Sequence, residues 1–294
     1  MGTIAVKRFP LTKLRGLTTL MRPKQWVKNI FVLAPLLFSG DFLDADAVSH
    51  ALLATLLFCF ASSATYIVND IRDIEPDRQH PKKSHTRPLA AGIVSIPETI
   101  PLLAALYVAL ILSWFIMSKV VLIIAAYLAI STAYTFILKN QPVIDIFTIA
   151  LGFVLRVYAG AMALAVPVSS WMFVTTLCLA LYLGAIKRRQ ELVHSGSSAR
   201  KTLKKYSVHL LDRYAEISAS GALLFYSMFV MSTKPELIMT IPLVIFGLFR
   251  FWYLVDALNG GESPTDALLT DWQLLCTVAL WAAICGHAAW PIRG

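Results

Sequence analysis

The amino-acid sequence predicts an all-α fold in which the chain crosses a membrane nine times. Hydrophobic residues make up 57% of the 294 residues and charged residues only 15%, whereas about a quarter of the residues in soluble domains are charged. A stretch of about 20 apolar residues can span the hydrocarbon core of a bilayer, and the sequence contains nine candidates. These observations predict a polytopic membrane protein, with residues 1–294 forming a single integral membrane domain.

The nine apolar stretches follow one another with few long polar interruptions. The first is short and begins at Trp26, and a very tight turn near Ser118 separates the third from the fourth. Asp271 is expected to cap the start of the last stretch, since aspartate is a favoured N-cap residue. The approximate limits are 25–40, 47–68, 97–117, 119–138, 143–165, 170–187, 214–232, 236–256 and 271–290.

The net charge of +9 is concentrated in three segments. With nine spans these segments fall on one side of the membrane, and their excess of lysine and arginine places that side in the cytoplasm. They are a basic arm at 1–24 and two candidate active-site segments at 69–96 and 188–212. The basic balance reflects topology together with anionic ligands or membrane lipids, so nucleic acid is not an expected partner. The four cysteines form no C-x-x-C pair and indicate neither a disulfide framework nor a zinc site.

Three aspartates follow the second apolar stretch directly. Helical residues turn by about 100°, so Asp70, Asp73 and Asp77 share one face if the helix continues. Carboxylates this close repel one another unless a cation lies between them, and hard oxygen ligands suit Mg²⁺. The three aspartates are therefore the candidate catalytic and metal-binding residues. A solvated helix end with an acidic cap is the alternative, and Pro76 can end the helix before Asp77.

Polar residues near the same membrane face supply candidate substrate-binding groups. Arg87 precedes a proline that fixes the chain beside it, and the arginine fork suits bidentate contacts to phosphate. Arg156 lies well inside the fifth stretch, where a charge by default marks a functional site; an internal ion pair with Asp145 is the alternative. For any single lysine, membrane topology is the simpler explanation, and a helical ion pair with Glu191 explains Lys187. The candidates are Asn69, Lys28, Arg87, Tyr134, Lys139, Arg156, Lys187, Arg188 and Glu191.

The pattern N-D-x-x-D-x-x-x-D at the end of the second stretch resembles the first aspartate-rich motif of the UbiA-type intramembrane prenyltransferases. Residues 69–77 fill this motif, and 87–92 (R-P-L-A-A-G) follow it as in that superfamily. Most members carry a second motif, D-x-x-x-D, after the sixth span, but residues 187–192 of this chain read K-R-R-Q-E-L. This basic replacement, together with the opening segment 21–29, resembles the decaprenyl-phosphate phosphoribosyltransferase branch of the superfamily.

The resemblance covers essentially the whole chain. It implies nine transmembrane helices around a central cavity that opens to the cytoplasmic face of the bacterial inner (plasma) membrane. It also implies Mg²⁺-dependent transfer of the 5-phosphoribosyl group from phosphoribosyl pyrophosphate to a polyprenyl (decaprenyl-type) phosphate, with release of diphosphate. The charge pattern supports this branch independently, because two substrates with three anionic groups require more fixed cations and fewer carboxylates than a prenyl diphosphate with an aromatic acceptor.

Two alternatives remain open from the sequence. The first is transfer of a prenyl group from a prenyl diphosphate to an aromatic acceptor, which uses the same aspartate motif and the same metal. The second is a non-catalytic lipid carrier or transporter, a class that places buried charges near the middle of the membrane. The acidic cluster here lies at one membrane face, which favours an enzyme. The sequence predicts neither the length of the polyprenol nor an oligomeric state.

Overall fold

The described residues form helices joined by turns. The computed structural model describes residues 11–81, 83–195, 202–257 and 270–289; the start of the predicted basic arm (1–10) and part of the second candidate segment (196–201) lie outside them. Short 3₁₀ helices cover Pro23–Leu33, Asp41–Leu43, Leu138–Asn140, Leu203–Lys205 and Pro235–Thr240. The α-helices are α1 (Leu11–Leu20), α2 (Ala34–Ser39), α3 (Ala45–Arg72), α4 (Ile74–Arg78), α5 (Lys83–Thr86), α6 (Ile96–Leu112), α7 (Trp114–Phe136), α8 (Ile144–Ala163), α9 (Ser170–Ser195), α10 (Val208–Thr233), α11 (Ile241–Asp256) and α12 (Trp272–Ala288).

The prediction of an all-α membrane protein is confirmed, but the described helices do not confirm the predicted number of nine spans. Six helical units are long and apolar enough to cross a membrane: α3, α7, α8, α9, α10 and the unit Pro235–Asp256. Helices α6 and α12 are apolar but shorter, with 17 residues each. The first predicted stretch folds as the 3₁₀ helix Pro23–Leu33 followed by α2. The count of nine spans therefore stays a prediction.

Helix α3 carries the aspartate motif and packs against α6, α7, α8 and the 3₁₀ helix Pro23–Leu33. Its first turn is capped by Asp44, whose carboxylate accepts a hydrogen bond from the backbone N–H of Asp46 over 3.0 Å. Small side chains let neighbouring helices approach this 28-residue helix closely, and four of them are fully buried: Ala51, Ala54, Ala61 and Ala64. The motif thus lies at the end of a helix that is firmly fixed by its neighbours.

The aspartate motif does not form one continuous helix. Helix α3 ends at Arg72, Asp73 has φ −96° and ψ 16°, and a new short helix, α4, begins at Ile74. Pro76 explains the break, because a proline in a continuing helix lacks the N–H and its ring collides with the carbonyl four residues earlier. The break falls at Asp73, earlier than the helix end before Asp77 that Pro76 allowed, so the three aspartates do not lie on one continuous helix.

The connection between the third and fourth stretches lies slightly earlier than predicted. Helix α6 ends at Leu112, Ser113 separates it from α7, and the backbone of α7 is non-helical at Met117 (φ −139°, ψ 59°). The predicted turn near Ser118 therefore coincides with the end of this distortion. At the last stretch, the carboxylate of Asp271 accepts from the N–H of Leu274 over 2.8 Å, which confirms the predicted cap.

The first segment packs unusually closely on α8. A Cβ atom built on Gly160 would lie 1.9 Å from the carbonyl oxygen of Val32. Only glycine permits this approach between backbone atoms, and Val32 is itself fully buried. The contact fixes the 3₁₀ helix Pro23–Leu33 against α8 and thereby sets the position of Asn29, whose side-chain oxygen accepts a hydrogen bond from Arg156 of α8.

Candidate functional site

A cavity of about 2150 Å³ lies among these helices. Its polar end is formed by the end of α3, by α4 and α5, by the turn between α7 and α8, and by the last third of α9. Its other end is apolar and runs between α2, α9, α10, α11 and α12, where it is lined by Leu37, Phe38, Met172, Phe229, Leu248, Val278 and Trp281. The shape combines a charged compartment with an apolar one, which suits an amphiphilic ligand.

Asp70 is buried at the polar end of the cavity. Its side chain is 2% exposed, and its Oδ1 atom pairs with the guanidinium of Arg22 and lies 3.5 Å from Nη1 of Arg87. The second carboxylate oxygen, Oδ2, is buried and has no hydrogen-bond partner. A buried polar atom without a partner is costly, so this oxygen is positioned to accept a ligand atom that the protein does not supply.

The other two aspartates are each held by a lysine. Nζ of Lys139 donates to both carboxylate oxygens of Asp73 over 3.0 Å. Nζ of Lys83 lies 3.2 Å from Oδ1 of Asp77, which is 6% exposed. Among the described residues no three acidic, histidine or cysteine side chains lie close enough to share one metal ion. The site therefore alternates carboxylates with cations and does not form a preassembled acidic cage.

The donor set nevertheless fits a magnesium ion. Mg²⁺ in enzymes usually takes one or two carboxylates and fills its remaining positions with water and substrate phosphate. Asp70 offers a buried oxygen without a partner, and Asp77 is buried in the same polar end of the cavity.

Arg22 is a site residue that the sequence analysis missed. Its guanidinium pairs with Asp70 and lies 4.6 Å from the ring centre of Tyr66. Burial lowers the pKa of Arg22, and the attraction of Asp70 opposes that shift. Its backbone has φ 52°, a left-handed conformation that is uncommon outside glycine. The contact spans 48 positions in the chain, and the signals in the sequence are the proline that follows the arginine and the resemblance of segment 21–29 to the phosphoribosyltransferase branch.

Arg188 is held by a buried network and does not line the cavity. Its Nε donates to Asp145 over 2.6 Å, Nη1 donates to Glu191 over 2.7 Å, and Nη2 donates to the hydroxyl of Tyr134 over 2.7 Å. Its side chain is 1% exposed. Glu191 and Tyr134 do line the cavity, so Arg188 holds the side chains of two cavity-lining residues in position without contacting the cavity itself.

The same network ties the turn before α8 to the segment that follows α9. The hydroxyl of Tyr206 donates to Asp145 over 2.7 Å and accepts from the N–H of Val143 over 2.6 Å. Val143 has φ 68°, a strained conformation for a β-branched residue. Burial raises the pKa of Tyr206, so its hydroxyl keeps the proton that it donates. Thr202 also donates to the carbonyl of Lys139 over 2.6 Å, so this segment holds the turn that carries Lys139.

Arg156 does not form the ion pair with Asp145 that the sequence left open. Its Nε donates to Asn29 over 2.8 Å and Nη1 donates to the carbonyl of Gly152 over 2.7 Å. Asp145 is instead occupied by Arg188 and Tyr206. Arg156 faces the cavity from a position two-thirds of the way along α8.

The structure brings together all but one of the residues predicted from the sequence. Lys187 lines the cavity near Glu191, and Glu191 forms a helical ion pair with Arg188. Arg188 is the exception, because it lies behind the wall. The predicted residues that line the cavity are Asp70, Asp73, Asp77, Asn69, Lys28, Arg87, Tyr134, Lys139, Arg156, Lys187 and Glu191.

The comparison with known proteins identifies relatives over nearly the whole chain. The model of the UbiA prenyltransferase family matches residues 30–268. The decaprenyl-phosphate phosphoribosyltransferase of Mycolicibacterium smegmatis is 33% identical over 300 residues, covering 95% of this chain and 94% of that protein. The protein of the same name from Mycobacterium tuberculosis (strain H37Rv) is 33% identical over 303 residues, covering 98% and 99%.

Among solved structures, a UbiA homolog from Archaeoglobus fulgidus, described as bound to GPP and Mg²⁺, superposes with a TM-score of 0.75. It is 21% identical in sequence, and the match covers 93% of this chain and 99% of that one. At this level of identity the likeness establishes the fold alone.

Proposed function

The chain belongs to the UbiA prenyltransferase family, and from this premise we propose that it transfers the 5-phosphoribosyl group of phosphoribosyl pyrophosphate to a polyprenyl phosphate, with release of diphosphate. The sequence relatives of matching length carry this activity in their names. The chain is thus an enzyme of the phosphoribosyltransferase branch, and its proposed active-site residues are the eleven predicted residues that line the cavity, together with Arg22, while Arg188 positions Tyr134 and Glu191.

The charge balance of the cavity is the observation that carries this proposal. Among the residues that the structure describes, nine lysine and arginine side chains line it, against four carboxylates. A prenyl diphosphate with an aromatic acceptor brings one highly charged group, whereas the donor and acceptor proposed here bring three. Fixed cations in excess of carboxylates are what these anionic groups require. The cations are Arg22, Lys24, Lys28, Arg72, Lys83, Arg87, Lys139, Arg156 and Lys187.

Magnesium fits the carboxylate side of the site. Asp70 and Asp77 would hold the ion, with Asp73 close by, and the ion would supply charge neutralisation for the departing diphosphate. With the ion bound, Arg22, Arg87 and Lys139 would interact less strongly with the aspartates and would bind phosphate oxygens of the substrate. Asn69 lines the same end and is placed to bind a hydroxyl of the ribose.

The reaction requires little proton transfer from the protein. Loss of diphosphate builds positive charge at C1 of the ribose, and a phosphate oxygen of the acceptor, already an anion, attacks that carbon. No general base is needed, so the contribution of the side chains is to position two anionic groups that would otherwise repel each other. Lys187 and Lys28 line the cavity and would hold the acceptor phosphate, and the apolar end would accommodate the polyprenyl tail.

The orientation in the membrane follows from the charge pattern. The protein would cross a bacterial inner membrane nine times. The excess of lysine and arginine in the basic segments supports a cytoplasmic location for them and for the polar end of the cavity. Phosphoribosyl pyrophosphate is a water-soluble polyanion and would reach the site from that side. The acceptor would enter from the bilayer with its tail in the apolar compartment.

The proposed function is tested with purified protein in detergent, Mg²⁺, polyprenyl phosphate and radiolabelled phosphoribosyl pyrophosphate. We expect label in the organic phase that depends on the lipid and disappears with EDTA. Asp70→Asn should abolish it, whereas Asp44→Asn, which changes an aspartate at the opposite end of α3, should not. A preparation that gives no labelled lipid but prenylates an aromatic acid from a prenyl diphosphate would contradict the proposal.

A further inference from the structure

The guanidinium of Arg156 is a buried charge without a carboxylate partner in the part of the chain that the structure describes. The residue is 5% exposed and lines the cavity. Its protein partners are neutral: the side-chain oxygen of Asn29 at 2.8 Å, the carbonyl of Gly152 at 2.7 Å and the hydroxyl of Tyr127 at 3.4 Å. Burying an ion without a counterion is costly, so the folded chain maintains a positive charge that the described residues do not neutralise.

Aromatic rings hold this guanidinium in place but do not replace an anion. Its central carbon lies 4.9 Å from the ring centre of Tyr127, 5.3 Å from that of Phe58 and 5.4 Å from that of Phe153. Ring faces attract a cation more weakly than a carboxylate does in the same surroundings. Arg188 differs from Arg156 in this respect. It is also buried, but it has two carboxylate partners and does not line the cavity.

Arg156 also keeps donors for a ligand. A guanidinium has five N–H groups, and the three hydrogen bonds above leave two of them, on the two terminal nitrogens. Terminal N–H groups on one fork suit bidentate contacts to phosphate oxygens. A positive charge, two remaining donors and a position on the cavity wall together specify an anionic ligand group.

We infer that Arg156 anchors a subsite for the 5-phosphate of the phosphoribosyl donor, at a distance from the aspartates that hold its diphosphate. The assignment rests on the proposed function. Asn29 links Arg156 to Ser62 of α3, with 3.3 Å between its side-chain nitrogen and the serine oxygen. Ser62 lies eight residues before Asp70, a rise of about 12 Å along a helix. The donor carries its two phosphate groups on opposite sides of the ribose and bridges a gap of this kind past Tyr66, which lines the cavity between them.

The test uses Arg156→Gln, Arg156→Lys and a matched control, Arg250→Gln, which replaces an arginine of another apolar helix that pairs with Asp271. We expect Arg156→Gln to raise the KM for phosphoribosyl pyrophosphate at least tenfold and to leave the KM for polyprenyl phosphate unchanged. Arg156→Lys, which keeps the charge but loses the fork, should raise the donor KM by a smaller factor. Arg250→Gln should change neither constant.

Ribose 5-phosphate separates this subsite from the diphosphate site, because it carries only the distal phosphate. It should compete with the donor in the wild-type enzyme and in Arg250→Gln, and its inhibition constant should rise at least tenfold in Arg156→Gln. Unchanged donor KM and unchanged inhibition in a folded Arg156→Gln protein would overturn the inference. A rise in the KM for polyprenyl phosphate alone would assign the phosphate to the acceptor and would overturn it equally.

Failure of the proposed function would be recognised separately. If the wild-type protein transfers no phosphoribosyl group, the proposed function fails, and the subsite is then judged by the thermal stabilisation that ribose 5-phosphate gives. Stabilisation of the wild type that is lost in Arg156→Gln and reduced in Arg156→Lys supports the subsite; stabilisation that is equal in all the proteins, or absent from the wild type, rejects it. If Arg156→Gln does not fold, the comparison between Arg156→Lys and the wild type decides.

Discussion

Nε of Arg188 donates to Oδ2 of Asp145 over 2.6 Å, and both side chains are 1% exposed. The pair joins α9 to the first turn of α8 directly behind the cavity wall. The remaining nitrogens of Arg188 hold Tyr134 and Glu191, which face the cavity. The basic motif of α9 thus has two roles: Lys187 faces the cavity, and Arg188 positions its neighbours.

Asp145→Asn should destabilise the protein, because among the described residues it leaves Glu191 as the one carboxylate that pairs with the buried charge of Arg188. Breaking a buried ion pair by removing one member costs about 3 kcal/mol or more. Thermal unfolding in detergent should show a clear decrease in Tm. The control is Asp212→Asn, which breaks a more exposed pair with Arg189 and should cost less than about 1 kcal/mol. Equal effects of the two substitutions would contradict the role given to the buried pair.

Asp70→Asn should weaken the binding of Mg²⁺ and lower the rate of phosphoribosyl transfer. Loss of one carboxylate from a site that uses one or two removes charge stabilisation worth several kcal/mol, or about 100-fold or more in rate. The measurement is the rate of phosphoribosyl transfer as a function of Mg²⁺ concentration, with EDTA as the metal-free reference. Asp44→Asn should behave as wild type, since asparagine caps a helix as well as aspartate does. A full rate for Asp70→Asn at ordinary Mg²⁺ would exclude Asp70 as a metal ligand.

Lys139→Met should reduce kcat/KM for the donor. Lys139 contacts both oxygens of Asp73, and its charge is available to a diphosphate oxygen once the substrate enters. Loss of one charge-assisted hydrogen bond corresponds to about tenfold or more. The control is Lys234→Met, whose lysine lies 3.9 Å from Glu236 and does not line the cavity. A change in stability without a change in kcat/KM would mean that Lys139 serves only to neutralise Asp73.

Gly160→Ala should destabilise the packing of the first segment on α8. The added Cβ would lie 1.9 Å from the backbone oxygen of Val32, so the backbone must move, and overpacking of this kind costs about 1–3 kcal/mol. The comparison is Gly247→Ala, where the nearest atom is the Thr277 methyl at 3.9 Å. Tm in detergent should fall for the first variant and remain within error for the second. Equal Tm values would show that the first segment adjusts freely.

Local sequence patterns predicted an all-α membrane protein and many of the charged residues at the polar end of the cavity, but few of its apolar lining residues. Apolar runs of the right length located the helices, and the density of charged residues located the polar end. The aspartates were found because three carboxylates in an apolar chain are conspicuous. They do not lie on one continuous helix, because the ring of Pro76 would meet the carbonyl of Arg72 and α3 ends there, but all three line the cavity.

Contacts between distant segments could not be predicted in the same way. Arg22 reaches Asp70 across 48 positions, and Tyr206 reaches Asp145 across 61. Arg188 was predicted as a substrate-binding residue because its charge is visible in the sequence, whereas its three protein partners become visible only when α7, α8 and α9 are packed together. Charge alone does not distinguish an arginine that binds substrate from one that supports the wall.

The fate of the oxygen atoms of the acceptor phosphate tests the proposed reaction most directly. Polyprenyl phosphate labelled with ¹⁸O at its phosphate is incubated with phosphoribosyl pyrophosphate, Mg²⁺ and the purified protein, and both products are examined by mass spectrometry. We predict a lipid that has gained one phosphoribosyl group and retains all of its ¹⁸O, together with unlabelled diphosphate. Labelled diphosphate, or a lipid product without the phosphoribosyl group, would contradict attack of the acceptor phosphate on C1 of the ribose.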